Sequence, residues 1–143
     1  MARTNFEQLE VYRLSEKLAD AIWDIVLHWD NFARDTVGKQ IVRSSDSIGA
    51  NLAEGTGRGS FKDNRRFVRT ARGSLYETQH WLRRAFKRNL LTTTHVQLLK
   101  PIIDELAPRL NAYLSSIGRV SKPLKSPSTT PQATDKEPST KNK

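Results

Sequence analysis

The sequence predicts an all-α chain folded as an antiparallel up-and-down four-helix bundle, and three observations carry that expectation. Apolar residues recur at alternating steps of three and four through four separate segments, the spacing that lines one face of an α-helix. Short polar or glycine-bearing stretches separate those segments. No segment sustains the period-two alternation of a half-buried strand. Four amphipathic helices on short connections bury their stripes by packing side by side, each neighbour reversed.

The first helix is expected from Glu7 or Glu10 to Trp29, with Val11, Leu14, Leu18, Ala21 and Ile25 as its stripe and Ile22, Val26 and Trp29 widening it. Phe6 and Leu9 are expected to fold back over its start. Asp30 to Asp35 reads as a connection, with Asp35 or Thr36 capping the second helix, whose apolar residues are Val37, Ile41, Ile48 and Leu52. Gly55 and Gly57 suit a left-handed helix end. Ser60 has N-cap chemistry, with Asp63 in the favourable first turn of a third helix running to about Asn89. Phe61, Val68, Ala71, Leu75, Thr78, Leu82 and Phe86 form its near-heptad stripe. The fourth helix, from about His95 to Ile117, has the cleanest pattern: Val96, Leu99, Ile103, Leu106, Leu110, Tyr113 and Ile117. Pro101 and Pro108 fall inside it, off the stripe, where kinks or a late start are expected. Gly118 closes it.

The chain of 143 residues is long enough for one domain with a real core, and 36% hydrophobic with 27% charged residues is ordinary for a soluble protein. A net charge of +9 points to an anionic partner. The chain has no cysteine, which excludes disulfides, cysteine nucleophiles and thiolate metal sites. MARTNFEQLE lacks the apolar centre of a signal peptide, and no apolar run approaches membrane-spanning length, so a cytoplasmic protein is expected. Residues 1–118 read as the bundle domain. Residues 119–143, rich in Pro, Ser, Thr and Lys, carry six basic against two acidic residues, a net +4, and bury too little apolar surface to order themselves.

Two polar rows carry the functional argument. On the second helix Gln40, Ser44, Ser47, Asn51 and Glu54 step four, three, four and three beside the apolar stripe. That row is either a solvated face or a polar seam between helices or subunits, where each group must find a partner. On the third helix Arg58, Lys62, Arg65, Arg69 and Arg72 form a row that Tyr76, Arg83 and Lys87 continue, and Arg66, Arg84 and Arg88 broaden. A row of this kind suits a phosphate backbone, which arginine grips with its bidentate fork. Tyr76 and His80 offer stacking surfaces for unpaired bases. No base-reading motif appears, so recognition would follow charge and shape.

The residues Gln40-Ile41-x-Arg43, Ser47-Ile48-x-x-Asn51-Leu52-Ala53-Glu54-Gly55 and Gly57-Arg58 resemble the bacterial four helix bundle protein family. That family is also known as the proteins encoded by intervening sequences in 23S ribosomal RNA genes. Ala71-x-Gly73-Ser74-Leu75-x-Glu77 is similar to its second signature, and Phe6-x-x-Leu9-x-Val11-Tyr12 to its first helix. The resemblance spans roughly Phe6 to Ile117 and leaves out the tail. It implies an antiparallel bundle assembling into a ring-like homopentamer, and a non-enzymatic nucleic-acid-binding or scaffold role. A related branch comprises accessory variability proteins of diversity-generating retroelements, which bind nucleic acid and a reverse transcriptase. Assignment to that branch depends on a neighbouring gene and is not made. Leu52 stands where the family more often has isoleucine.

Other chemistries have little footing. Glu77-x-x-His80 has the spacing of a di-iron ligand pair, but His28 and His95 lack the preceding glutamate that would complete a second copy. No metal or other cofactor is therefore expected. The run Gly55 to Gly59 resembles a phosphate cradle without the strand that should precede it. Trp23, Trp29 and Trp81 read as core or subunit-interface anchors rather than membrane-surface residues. The expected function is a non-enzymatic, homo-oligomeric nucleic-acid-binding protein, with a protein–protein scaffold as the alternative.

Overall fold

In a computed structural model of the chain, residue 6 and residues 9–119 are described. The tail expected from Arg119 onward lies, apart from Arg119 itself, outside them. Among the described residues the chain forms four long helices and no strand. Helix α1 spans Glu10–Leu27, with the Phe6 ring edge-on to Tyr12 at 4.9 Å as its opening contact. Helix α2 (Lys39–Thr56) is preceded without a break by a helical turn, Asn31–Ala33, and a π-helical turn, Arg34–Gly38. The start therefore lies earlier than Asp35 or Thr36. Asp30 is the cap, its carboxylate accepting from the Ala33 N–H at 2.9 Å.

Helix α3 spans Phe61–Lys87 and begins as expected at Ser60, whose hydroxyl accepts from the Asp63 N–H at 3.1 Å. It ends on Asn89 at φ 63°, with the Leu90 N–H reaching back to the Ala85 carbonyl at 2.9 Å. This is a Schellman-type end with asparagine in the left-handed position. Helix α4 (Thr93–Ser116) opens with a reciprocal cap: Thr92 Oγ1 accepts from the His95 N–H, and His95 Nδ1 accepts from the Thr92 N–H, both at 3.1 Å. His95 is thus committed to starting a helix. Both prolines lie within α4, which runs through them as one helix.

The glycines at the end of α2 act differently from the expectation. Gly57 has φ −82°, a right-handed conformation that any residue adopts. Gly55 is buried because α3 passes so close that a side chain there would overlap Asn64 and sit 3.1 Å from Phe67 Cβ. The left-handed glycine is Gly118, at φ 80° beyond α4.

Helix α1 packs on α2 and α4, α2 packs most extensively on α3, and α3 meets α4. Short connections between neighbours in contact make them antiparallel. Leu18, Ile22, Ile41, Ile48, Leu52, Leu75, Leu106 and Leu110 are almost wholly buried at the centre, each contributing about 1.5–3 kcal/mol by leaving water. The expected α3 stripe fails at both ends: Phe61 and Phe86 are 65% and 52% exposed.

Candidate nucleic-acid interface

The polar row of α2 is only partly turned toward α3. Ser44 is buried, and its hydroxyl lies 2.9 Å from Thr78 Oγ1 of α3. Ser47 meets Ser74 at 3.0 Å, and the Asn51 side-chain amide donates to the Ser47 hydroxyl and carbonyl at 3.0 and 2.9 Å. These three residues form a hydroxyl-rich seam between α2 and α3. Gln40 is half-buried. Glu54 lies on the solvated side of the row: its side chain is 53% exposed and ion-paired with Arg58 at 2.8 Å. Spacing alone does not mark Ser74 and Thr78 as the polar partners across the seam, because Thr78 occupies a stripe position and reads as core.

The candidate cations, seven on α3 and Arg58 in the turn before it, separate into three groups. Arg65 Nη1 donates to the Ile117 carbonyl at 3.0 Å, and Arg72 Nη1 to Asn111 Oδ1 at 3.1 Å. Both are half-buried and tie α3 to α4. Arg65 and Arg72, expected among the phosphate contacts, are therefore engaged in the packing of α3 against α4. Arg58 pairs with Glu54, Arg66 pairs with Asp63 at 3.6 Å, and their guanidinium groups lie 4.9 and 4.6 Å from the Phe67 ring. Lys62, Arg69, Arg83 and Lys87 are exposed and make no ion pair among the described residues.

Those four residues share the outward side of α3 with Gly73, Tyr76 and His80. Lys62 and Lys87 stand about 37 Å apart along the axis, from the helical rise. Counted from its sequence, α3 holds eight basic and two acidic residues, a net +6, so the positive charge of the bundle is concentrated on this one helix. Trp81 donates its indole N–H to Glu77 at 3.1 Å and lies edge-on to His80 at 4.8 Å. Glu77 is thereby occupied as an acceptor, away from the ligand role its spacing with His80 suggested.

The sequence profile of the 23S rRNA-intervening sequence protein family matches residues 7–112. The chain belongs to that family. Comparison with curated proteins returns no match. Among solved structures, this family member is similar to a protein of unknown function from the S23 ribosomal protein family of Bacteroides thetaiotaomicron. The two are 23% identical, the match covers 74% of this chain and 99% of that one, and the TM-score is 0.65. At that identity the likeness shows the shared helical fold. Among the described residues no helix is long and apolar enough to cross a membrane.

Proposed function

We propose that this family member is a non-enzymatic nucleic-acid-binding protein that grips phosphates with the outward face of α3. The observation that carries the reading is the line of exposed cations Lys62, Arg69, Arg83 and Lys87, unpaired among the described residues, on a helix of net charge +6. Cations left without acidic neighbours repel one another along a helix, and a polyanion relieves that repulsion while releasing its condensed counterions. The family's name, which refers to sequences within ribosomal RNA genes, agrees with an RNA ligand. Assembly as a homo-oligomer, the ring of five that the resemblance implies, forms part of the proposal. Trp23, Leu27 and Phe32, 51%, 50% and 80% exposed on one subunit, supply apolar surface for it.

The test is a fluorescence titration of RNA and DNA at several salt concentrations, with wild type and a Lys62→Gln, Arg69→Gln, Arg83→Gln variant. Affinity should fall steeply with salt, by a slope of about −0.7 per neutralised phosphate on single strands and −0.9 on duplex DNA. The variant should fold normally, bind more weakly and lower the slope by roughly one unit for each phosphate it no longer neutralises. An unchanged affinity and slope in the folded variant would reject phosphate binding by this face and leave the protein-scaffold reading.

A further inference from the structure

Gly73 is a weak point that the subunit itself does not explain. It lies near the middle of α3, fully helical, exposed, and a Cβ built there would meet nothing within 4 Å. Glycine is among the poorest residues for a helix interior, and its usual justifications are a left-handed conformation or the close approach of another backbone. The first does not hold, because its φ is not positive. The second is unmet within the chain.

The surroundings of Gly73 define what approaches. Residues three, four and seven positions away lie on the same helical face. Arg69 is one turn before, exposed and without an acidic partner among the described residues. Tyr76 follows nearly one turn after, 56% exposed. His80 lies a further turn on, its ring edge-on to Trp81, whose indole is itself tethered to Glu77. A bare stretch of helix backbone is thus flanked by a cation on one side and flat rings on the other.

We infer that the ligand is an unpaired strand crossing α3 at Gly73, with a phosphate on Arg69 and a base stacked on Tyr76; this rests on the proposed nucleic-acid binding by the same face. Charge selects a polyanion over a second copy of this highly basic helix. The rings select the unpaired form, because a duplex keeps its base faces stacked inside and offers an exposed tyrosine only edges and backbone. The missing side chain lets the sugar-phosphate chain come against the helix, so that Arg69 and Tyr76 engage neighbouring nucleotides together.

The experiment measures anisotropy of a short labelled oligouridine, the same strand paired with oligoadenosine, and an abasic strand of equal length. Wild type should bind the single strand more tightly than the duplex and the abasic strand. Tyr76→Ala should lose about tenfold in affinity for the single strand and most of its preference over the abasic one, whereas Tyr76→Phe should keep both. Gly73→Gln, which favours the helix, should weaken single-strand binding with unchanged helicity and unchanged mass by light scattering. If wild type binds none of the three probes, the nucleic-acid reading falls and takes this inference with it. If it binds duplex and single strand alike, and Tyr76→Ala and Gly73→Gln bind as wild type does, only the unpaired-strand assignment is overturned. A Gly73→Gln variant that changes mass while binding normally places Gly73 in a subunit contact and overturns it too.

Discussion

Arg65 and Arg69 are four residues apart on one helix and look interchangeable, yet the structure assigns them opposite consequences. Arg65 Nη1 donates to the Ile117 carbonyl at 3.0 Å, and that carbonyl lies just past α4, beside the left-handed Gly118. Hydrogen bonds from charged donors contribute about 1.5–3 kcal/mol, and a cation at a helix C-terminus adds about 0.3–1 kcal/mol. Half-burial screens part of this, so Arg65→Gln, whose shorter side chain falls short of Ile117, should cost about 1–2 kcal/mol. For a domain near this size that corresponds to a fall in Tm of roughly 4–10 °C. Arg69→Gln, an exposed change, should stay within about 0.5 kcal/mol of wild type. Thermal and urea unfolding at one fixed protein concentration read the difference, and hydrogen exchange in the last turn of α4 localises it. The reasoning is refuted if the two variants unfold together, or if Arg65→Gln keeps full stability and loses as much nucleic-acid affinity as Arg69→Gln.

The seam, the glycines and one carboxylate give further expectations. Thr78→Val preserves shape but strips the hydroxyl that contacts Ser44 and bonds the Ser74 carbonyl at 2.8 Å; it should lower unfolding free energy by about 1 kcal/mol in urea titration. Gly55→Ala forces a methyl against Asn64 and Phe67 and should destabilise by about 1–3 kcal/mol, while Gly73→Ala, in open space, should stabilise by about 0.5–1 kcal/mol. Differential scanning calorimetry should show Tm moving in opposite directions. Partial desolvation first, and then the charge of Asp20, push the carboxyl of the largely exposed Asp46 above its ordinary value. The folded state therefore holds that proton more tightly than the unfolded chain does, and ionising Asp46 subtracts stability as pH rises from the ordinary carboxylate value through the raised one. Asp46→Asn should gain on wild type above that window and match it below, as read by urea midpoints across a pH series.

What the sequence revealed was what a single helix determines by itself. The stripe of α1, the Ser60 cap with Asp63, and the shared side of Ser44, Ser47 and Asn51 follow from spacing alone. The expected stripe of α4 is one residue off at its middle, where Ile102 is buried and the expected Ile103 only half-buried. What it concealed depends on two helices at once. Steps of three and four place Arg65, Arg69 and Arg72 in one row, but only the path of α4 decides that Arg65 and Arg72 fall within reach of Ile117 and Asn111. Gly55 looks like a chain terminator in the sequence because its reason, the close passage of Asn64 and Phe67, belongs to α3. The π-helical turn is hidden for a local reason. Between Asp30 and Val37 the only buried side chain is Ala33, so no apolar stripe marks a helix that is already under way.

Pro101 and Pro108 leave the carbonyls of Gln97 and Asp104, four residues before each, without an intrahelical donor. Interior prolines each cost a helix about 3 kcal/mol, so α4 has almost no tendency to form in the free chain. Its helicity is lent by docking Leu99, Ile102, Leu106 and Leu110 into the groove that α1 and α3 present. The expected order of assembly is that α1, α2 and α3 gather first and α4 zips onto them after the rate-limiting barrier, which refolding and unfolding rates of α4 variants would check. Substitutions along its buried row would then leave the rate of folding nearly unchanged and appear as faster unfolding.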